Sequence, residues 1–376
     1  MQPDRLLITG GAGFIGSNFV NYWIARHPGH RVVVLDALPY AGNPANLHAV
    51  RDLPQFRFVH GEIQNEALVE KLLREESINC IVHFAAESHV DRSILAPDLF
   101  LATNVMGTHS LLKVARKVWL DSGSGTPHRF HHVSTDEVYG SLDLTAPAFI
   151  ESSPYQPSSP YAASKAASDH LVRAYGHTYG LDVTISNCSN NYGPFHYPEK
   201  LIPLMIVNIL QGLPLPVYGA GGNVRDWLYV EDHCRGIELA LQRGRSGETY
   251  NLGGNSERAN LDLVRTLCRE VDALLDADAG LGSRFPDAPV HHDGSAESLI
   301  QFVADRPGHD LRYAIDASKA AAELGFVPRH NLESGLRNTV AWYLENESWW
   351  RDLMGRNYQD WMHAQYAGRS PARNGG

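Results

Sequence analysis

The sequence predicts an α/β protein with a doubly wound parallel sheet and a smaller mixed α/β lobe. First, short apolar runs alternate with stretches of helical apolar spacing from Arg5 to Cys188, which is typical of parallel strands joined by helical crossovers. Second, a glycine-rich turn links the first such run to the helix after it. Third, the length of 376 residues exceeds one compact core of the commonest size and indicates about two domains.

Composition and charge exclude several classes of function. Hydrophobic residues make up 43% of the chain and charged residues 20%, as in an ordinary globular protein. The formal net charge of -10 argues against sequence-independent binding to nucleic acid or to an anionic membrane surface. An anionic substrate must therefore meet a local cluster of cations.

The cysteines and histidines suggest neither a metal site nor a disulfide framework. The 4 cysteines are scattered without a Cys-x-x-Cys pair, and the 19 histidines, which include the pairs His131-His132 and His291-His292, show no Glu-linked ligand spacing. No apolar run is long enough to cross a bilayer, and Met1 leads almost directly into the glycine-rich turn. We therefore expect reduced thiols, no metal and a cytoplasmic location.

The glycine-rich turn predicts a dinucleotide site. An apolar run from Arg5 to Thr9 ends in Gly10, Gly13 and Gly16, and helical spacing follows from Ser17 to Ala25. Glycines there let the backbone approach a pyrophosphate at the positive end of the helix, as in a Rossmann-type fold. Asp36 ends the next strand twenty residues after Gly16, where its carboxylate would bind an adenosine ribose and repel a 2'-phosphate. We infer NAD in preference to NADP.

The next strands place further residues beside that cofactor, because the carboxyl ends of strands in an open sheet face the ligand crevice. Glu62 and Ile63 follow the third strand and could flank an adenine ring. Ala85 and Ala86 follow the fourth strand, and their small side chains allow a ligand to approach closely. A helix from about Pro97 to Lys117 then leads towards the fifth strand.

A polar turn follows the fifth strand, which we place at Phe130 to Val133. It runs from Ser134 to Gly140 and carries the adjacent carboxylates of Asp136 and Glu137 after Thr135. By itself this stretch has two interpretations. It is either an ordinary strand-ending turn, in which such side chains bond to nearby backbone, or an acid and base pair.

A tyrosine and lysine four residues apart favour the catalytic interpretation. Ser159 is a candidate N-cap and Pro160 suits a first helical turn, so Tyr161 and Lys165 project from one helix face. A positive charge near the phenol should lower the pKa of Tyr161, so that it takes a proton from a hydroxyl whose carbon gives up a hydride. Thr135 can hydrogen-bond the same hydroxyl.

The domain boundaries follow from where the alternation stops. We expect a dinucleotide-binding domain over 1–194 with returns to the same sheet near 224–254, and a substrate lobe over 195–223 and 255–350. The stretch 276–297 is rich in Asp, Gly and Pro and predicts a mobile surface insertion. Residues 367–376 are expected to form a disordered tail.

These motifs resemble the extended short-chain dehydrogenase/reductase family, and within it the dTDP-glucose 4,6-dehydratase family. The resemblance covers the chain from about Leu6 to Trp350. Besides the glycine turn and the tyrosine and lysine pair, it rests on Ala85 to Ser93, Ser134 to Gly140, Asn187 to Pro194, Glu199 to Pro203, Arg225 to Asp232 and Asp305 to Asp310. The chain departs from the usual family pattern at Ala37 and Glu62, both on the adenosine side of the cofactor.

The resemblance implies a hydro-lyase acting in deoxysugar biosynthesis. Tyr161 would deprotonate the sugar C4 hydroxyl while hydride passes to NAD, Glu137 would remove the C5 proton, Asp136 would protonate the departing C6 hydroxyl, and hydride would return to C6. The alternatives are a UDP- or GDP-sugar 4,6-dehydratase, a sugar-nucleotide 4-epimerase, and, in a different class, a non-enzymatic NAD-binding sensor. A 4-epimerase needs no acid and base over C5 and C6, so Asp136 and Glu137 favour dehydration.

The resemblance also implies the ligand-binding residues and a homodimer formed through the helices of Asn104 and Tyr161. Lys165 would hold the nicotinamide ribose, and the catalytic residues would be Thr135, Asp136, Glu137, Tyr161 and Lys165. The cofactor-binding set would be Gly10, Gly13, Phe14, Ile15, Gly16, Asp36, Glu62, Ile63, Ala85, Ala86, Thr103, Tyr161, Lys165 and Asn190. The substrate-binding set for dTDP-glucose would be Ser88, Thr135, Asn190, Lys200, Leu201, Pro216, Tyr218, Arg225, Asn260, Arg306 and His309.

Overall fold

A computed structural model gives the fold of the chain. It describes residues 3–366 with the exception of 124, 126, 293, 306 and 307. The tail predicted over 367–376 and the predicted ligand Arg306 lie outside the described residues.

The strands of the described residues form three sheets. In chain order they are β1 (Arg5–Thr9), β2 (Arg31–Asp36), β3 (Phe56–His60), β4 (Cys80–His83), β5 (Arg129–Thr135), β6 (Val183–Cys188), β7 (Asn190–Tyr192), β8 (Leu215–Tyr218), β9 (Val224–Tyr229), β10 (Thr249–Leu252), β11 (Glu257–Ala259) and β12 (Ile300–Val303). The largest sheet has seven strands in the order β10-β6-β5-β4-β1-β2-β3, all paired in parallel. The strand order reverses between β1 and β4, which places a ligand crevice beyond their carboxyl ends.

Helices cover both faces of this sheet and build the second lobe. They are α1 (Phe14–Arg26), α2 (Glu66–Glu75), α3 (Val90–Leu95), α4 (Pro97–Phe100), α5 (Gly107–Arg116), α6 (Pro160–Tyr179), α7 (Leu201–Leu210), α8 (Val230–Arg243), α9 (Asn260–Ala277), α10 (Ala279–Arg284), α11 (Ser318–Leu324), α12 (Leu332–Glu345), α13 (Glu347–Leu353) and α14 (Arg356–Tyr366). One apolar core lies between the sheet and α1 and α8, and a second lies between the sheet and α2, α5 and α6. The predicted doubly wound sheet is confirmed.

The turn between β1 and α1 is tighter than the sequence suggested. The helix begins at Phe14 and not at Ser17, because the last glycine already lies within its first turn. Gly10 has a φ of +70°, a backbone conformation that side chains rarely adopt. A Cβ on Gly16 would lie 2.2 Å from the carbonyl oxygen of Gly10, so only glycine fits there.

Gly16→Ala is therefore expected to displace the turn and to lower NAD content sharply. The clash is with backbone atoms, which cannot rotate away as a side chain can. Bound NAD per chain and the thermal unfolding midpoint of the purified variant measure the effect. Gly29→Ala is the control, since nothing lies within 4 Å of a Cβ at that position. Full NAD content in Gly16→Ala would contradict the assignment of this turn to the cofactor.

The helix predicted from Pro97 to Lys117 continues to Asp121 but contains two wider turns. Residues Leu101–Met106 and Lys117–Asp121 are π-helical, on either side of α5. In the first of these turns the Asn104 carbonyl accepts hydrogen bonds from the side chains of Thr108 at 2.6 Å and Ser168 at 2.8 Å. Such insertions often occur at functional sites, and this one places the Asn104 side chain between Glu87 and Ser164.

The second lobe has its own core and two small sheets. β9 pairs in parallel with β7 and antiparallel with β11, while β8 pairs with β12. The predicted return of 224–232 to the main sheet is therefore wrong, whereas Thr249–Leu252 does join it beside β6. An apolar run indicates that a strand is buried but does not specify its partner. The predicted boundaries at 194 and 255 stay a prediction.

The stretch 276–297 is largely exposed, as predicted, but a few of its side chains anchor it to the second lobe. It contains α10 and short 3-10 turns at Pro289–His292 and Ala296–Leu299. Phe285 is 1% exposed and packs with Ala288 and Ala296 in the core of the second lobe. The predicted surface position is thus confirmed, and the predicted mobility stays a prediction. The anchoring was missed because these few apolar side chains are spaced among polar residues.

Two further observations concern compartment and membrane. Cys80, Cys188, Cys234 and Cys268 are all buried free thiols. Within the part of the chain that the structure describes, no helix has both the length and the apolar character needed to span a bilayer.

Candidate active site

Two adjoining cavities open at the carboxyl ends of the strands. The larger, of about 650 Å³, is lined by all five predicted catalytic residues and by every residue predicted to bind the cofactor. The smaller, of about 190 Å³, is lined by Pro216, Tyr218, Arg225, Asn260 and His309. Ser88, Asn190, Lys200 and Leu201, together with Glu137, line both cavities. The structure therefore brings together all the predicted site residues that it describes, and their individual roles stay predictions.

The cofactor end of the larger cavity is held by backbone contacts. The Asp36 carboxylate accepts hydrogen bonds from the backbone N–H of Ala12 and of Leu38, both at 2.8 Å. Burial raises the pKa of Asp36, and these two hydrogen bonds oppose the rise. The carboxylate is thus fixed at the end of β2, with lone pairs left for a ribose.

The turn after β4 is fixed by Asn104. Its side-chain oxygen accepts from the Glu87 N–H at 2.8 Å, and its amide donates to the Glu87 carbonyl at 3.0 Å and to Ser164 Oγ at 2.8 Å. Asn104 is 1% exposed, so these bonds satisfy a buried amide. Ala85, Ala86 and Ser88 are thereby held against α6, which carries the tyrosine and lysine pair.

Thr135, Asp136 and Glu137 form the junction between β5 and a 3-10 turn at Asp136–Tyr139. Thr135 caps that turn by accepting a hydrogen bond from the Glu137 N–H at 3.3 Å. Gly140 ends it with a φ of +92°. The short cap places the two carboxylates side by side at the carboxyl end of the sheet. The backbone of the polar turn from Ser134 to Gly140 thus forms an ordinary capped turn. The side chains of Ser134, Asp136 and Glu137 form part of the cavity wall.

Asp136 is suited to donate a proton. It is 2% exposed, and burial together with the neighbouring carboxylates of Glu137 and Asp226 raises its pKa well above the usual value. Its Oδ2 atom is buried and has no hydrogen-bond partner among the described residues. A protonated carboxyl with an unpartnered oxygen in a cavity can act as a general acid.

Tyr161 and Lys165 lie on the first turns of α6, which Ser159 caps through the Ala162 N–H at 3.1 Å. The Lys165 ammonium donates to the Val133 carbonyl at 2.8 Å, and burial lowers its pKa to about 8. The predicted lowering of the Tyr161 pKa is not observed in the chain alone. Burial and the charge of Glu137 raise that pKa well above its usual value, and a hydrogen bond with Thr135 opposes them.

The smaller cavity concentrates cations in an acidic protein. Arg225 is 5% exposed, donates to the Asp310 carbonyl at 2.9 Å and stacks over the Tyr313 ring with its Cζ atom 4.2 Å from the ring centre. Lys200 donates to the Ser88 carbonyl at 3.2 Å, and His309 pairs with Asp305 at 2.7 Å. Fixed cations of this kind suit an anionic group such as a diphosphate.

Sequence reasoning missed a clamp beside the two cavities. The Arg92 guanidinium lies between the Tyr40 and Trp361 rings, with 3.8 and 4.0 Å from Cζ to the ring centres. It also pairs at 2.9 Å with Glu199, whose side chain is fully buried. Arg92 and Glu199 both lie within motifs quoted for the resemblance, but nothing in the sequence indicates that they meet each other or Trp361.

Arg92→Ala is expected to lower the free energy of unfolding by roughly 3 kcal/mol, because it leaves a buried carboxylate without its cation. Chemical denaturation with NAD bound measures this loss. The control is Arg74→Ala on α2, which breaks a partly exposed pair with Glu70 at 3.0 Å and should change the free energy of unfolding much less. Equal effects of the two variants would show that the clamp does not stabilise the fold.

Phe14 and His196 form another contact that the sequence did not reveal. Their rings stack at 4.1 Å with an interplanar angle of 14°, and both residues line the larger cavity. Within the described residues there is no group of three or more His, Cys, Asp or Glu side chains that could hold a metal ion.

Comparisons with known proteins agree with this geometry. The family model described as GDP-mannose 4,6 dehydratase matches residues 7–339. A dTDP-glucose 4,6-dehydratase of Xanthomonas campestris is 53% identical over 355 residues, covering 94% of this chain and 97% of the relative. One from Salmonella typhimurium is 48% identical over 375 residues, covering 97% of this chain and 99% of the relative.

A solved structure gives the same result in three dimensions. It is that of DesIV, a dTDP-glucose 4,6-dehydratase from Streptomyces venezuelae determined with NAD and TYD bound. It is similar to this chain with a TM-score of 0.81 and 50% identity, covering 93% of this chain and 99% of that one. The chain belongs to the dTDP-glucose 4,6-dehydratase family, within the short-chain dehydrogenases/reductases.

Proposed function

We propose that this protein is an NAD-dependent dTDP-glucose 4,6-dehydratase that converts dTDP-glucose into dTDP-4-keto-6-deoxy-glucose and water. The observation that carries the proposal is the position of Asp136 and Glu137. The two carboxylates stand next to each other in a cavity that also contains Tyr161 and Lys165. A 4-epimerase has no use for a buried acid beside a base, because it removes no water.

Each proton transfer in the reaction has a residue suited to it. Tyr161, hydrogen-bonded to Thr135 and near Lys165, takes the proton of the C4 hydroxyl. The 4-ketone then acidifies the C5 proton, which Glu137 removes as a base. Asp136, held protonated by burial and by its carboxylate neighbours, donates its proton to the departing C6 hydroxyl. The net result is loss of water across C5 and C6, after which a proton returns to C5.

The residues of the larger cavity fit NAD. A Cβ would clash at Gly16, the Asp36 carboxylate is fixed at the end of β2, and Ala85 and Ala86 leave room beside β4. When bound, NAD supplies the hydride acceptor for C4 and the donor for C6, and its oxidised ring adds a positive charge that favours the Tyr161 phenolate. Lys165 would hold the ribose of that ring.

The smaller cavity supports a sugar nucleotide as the substrate. Its cations Lys200 and Arg225 are suited to a diphosphate, His309 is proposed to donate a hydrogen bond to it, and Arg306 is proposed to join them. Asn190 and Ser88 line both cavities, which suits contacts to the hexose between the nucleotide and the cofactor. The side-chain oxygens of Asn190 and Asn260 are buried and have no hydrogen-bond partner among the described residues, so they are available to a ligand.

Mass spectrometry of the reaction mixture tests this function. The purified protein is incubated separately with dTDP-, UDP- and GDP-sugars, and we expect the dTDP-glucose product to have lost the mass of one water molecule. Isomerisation without loss of mass would identify a 4-epimerase. Loss of water from only a UDP- or GDP-sugar would correct the nucleotide, and no turnover of any sugar would favour a non-catalytic NAD-binding protein.

We also propose a cytoplasmic homodimer. The four buried free thiols suit a reducing compartment. Large apolar side chains are exposed on α3, α4 and the π-helical turn after them, with Leu95 75% exposed and Met106 55% exposed. Such a patch on the helix of Asn104 supports pairing of two copies there. Analytical ultracentrifugation tests it, with Leu95→Glu and Met106→Glu expected to give monomers.

A further inference from the structure

A row of buried polar side chains extends behind Lys165, away from the catalytic carboxylates. His132 Nε2 lies 3.5 Å from the Lys165 Nζ and 3.2 Å from Asp169 Oδ1. The Tyr155 hydroxyl donates to Asp169 Oδ2 at 2.8 Å, and Arg173 donates to that hydroxyl at 2.6 Å. His132 and Asp169 are both fully buried. Neither residue touches the cavity that holds the reactants.

The hydrogen bonds of His132 fix its tautomer. Its Nδ1 atom is buried with no hydrogen-bond partner among the described residues. A hydrogen on Nδ1 would be an unsatisfied buried donor, whereas a hydrogen on Nε2 can be donated to Asp169. We therefore place it on Nε2. Burial lowers the pKa of His132 to about 4, so the imidazole is neutral. Because its Nε2 hydrogen points to Asp169, it accepts nothing from Lys165, and the carboxylate and the ammonium attract each other through space.

The titratable groups around Lys165 lie on α6 and on three strands. His83 on β4 and His132 on β5 are neutral because burial lowers their pKa values, and Cys188 on β6 is a protonated thiol because burial raises its pKa. Tyr161 and Asp169 are on α6, with Arg173 one turn beyond. Burial alone would raise the pKa of Asp169, but His132 and Lys165 hold it below its usual value. Of these groups, Asp169 alone is a stable anion at neutral pH.

We propose that Asp169 is the positioning residue for Lys165: its buried carboxylate, which approaches the same His132 nitrogen as Lys165 does, is the counter-ion that keeps the ammonium charged beside Tyr161. This inference rests on the proposed function for its catalytic meaning. Asp169 follows Lys165 by four residues, so α6 itself sets the spacing of the two charges. Without that anion, the buried ammonium would lose its proton more readily. A neutral lysine would no longer stabilise the phenolate.

Titration of the lysine side chain tests the inference directly. The chain has six lysines, at positions 71, 113, 117, 165, 200 and 319, so a protein labelled with ¹³C at lysine Cε gives few signals. Lys165→Arg identifies the Lys165 signal. In the NAD-bound protein, Asp169→Asn is expected to lower the Lys165 pKa by about 1–2 units. An unchanged Lys165 pKa in folded Asp169→Asn would overturn the inference.

Two matched variants separate charge from structure. Asp169→Glu retains the charge and should restore the Lys165 pKa to near its wild-type value. Tyr155→Phe removes a hydrogen bond to Asp169 but no charge, and should also leave that pKa near wild type. A shift in Tyr155→Phe equal to that in Asp169→Asn would assign the effect to packing and overturn the inference. Asp169→Ser, smaller and neutral, should reproduce the Asn result if Asp169→Asn does not fold.

A kinetic measurement connects this charge to the reaction. As pH rises and Lys165 loses its proton, the rate of formation of reduced nicotinamide from dTDP-glucose should fall. In Asp169→Asn the pH at which this fall begins should be lower than in the wild type by about 1–2 units. The substrate affinity should change little, because Asp169 lies outside both cavities. The lysine titration needs no substrate. A wild type that does not turn over dTDP-glucose would thus refute the proposed function and leave the titration to decide the inference.

Discussion

Glu137→Gln is expected to stop the reaction after oxidation of C4. The amide has no basic oxygen to take the C5 proton, while Tyr161 and Lys165 remain in place to support formation of the ketone. Product formation should fall by roughly 10²–10⁴-fold, the usual contribution of a positioned general base. Bound NAD should remain, and reduced nicotinamide should accumulate on mixing with dTDP-glucose because the later steps no longer consume it.

Exchange of the C5 hydrogen with deuterium oxide separates this step from the next one. Glu137→Gln should show no exchange, whereas Asp136→Asn should exchange C5 and fail to expel the C6 hydroxyl. The control is Glu66→Gln, on the exposed side of α2, which should behave as the wild type. Undiminished C5 exchange in Glu137→Gln would assign the base to another residue.

Tyr161→Phe is expected to block the first step. Removal of the phenol leaves the C4 hydroxyl without a proton acceptor, and its Thr135 partner cannot replace a base. The rate of reduced nicotinamide formation should fall by roughly 10²–10⁴-fold. The affinity for dTDP-glucose, measured by calorimetry, should change little, because the cations that we propose to bind the diphosphate lie in the smaller cavity.

Tyr155→Phe provides the matched control for Tyr161→Phe. Tyr155 is also a tyrosine, partly buried and hydrogen-bonded to Asp169 at 2.8 Å, but it lies outside both cavities. Its variant should form reduced nicotinamide at near the wild-type rate at neutral pH. Rapid formation of reduced nicotinamide by Tyr161→Phe would show that another group accepts the C4 proton.

The sequence predicted the main sheet well because its signals are local. The apolar runs of β1 to β6 alternate with helical spacing, and parallel topology follows from that alternation. The apolar run of β9 was recognised, but the strand was assigned to the wrong sheet. The partner of this strand depends on contacts across the second lobe, which the sequence does not show. The start of α1 was placed three residues late because glycines conceal the first helical turn.

The residues proposed for catalysis could also be found in the sequence, because the proposed chemistry requires particular side chains at close spacing in the chain, and the structure places them in one cavity. Asp136 is next to Glu137, and Tyr161 is one helical turn from Lys165. The Tyr161 pKa was misjudged because sequence shows the neighbouring lysine but not the depth of burial. The clamp at Arg92 combines residues from four distant segments. The row of polar side chains behind Lys165 includes His132, which lies on β5 and not on α6. Neither has a local pattern.

The clamp at Arg92 has a consequence for biosynthesis of the protein. Its last component, Trp361, leaves the ribosome after the entire main sheet, and β10 at the edge of that sheet also arrives late. Until Trp361 has been synthesised, the Arg92 guanidinium therefore has only the Tyr40 ring and Glu199 as partners in the clamp. The clamp thus closes late in synthesis, after the segments that form the main sheet have left the ribosome.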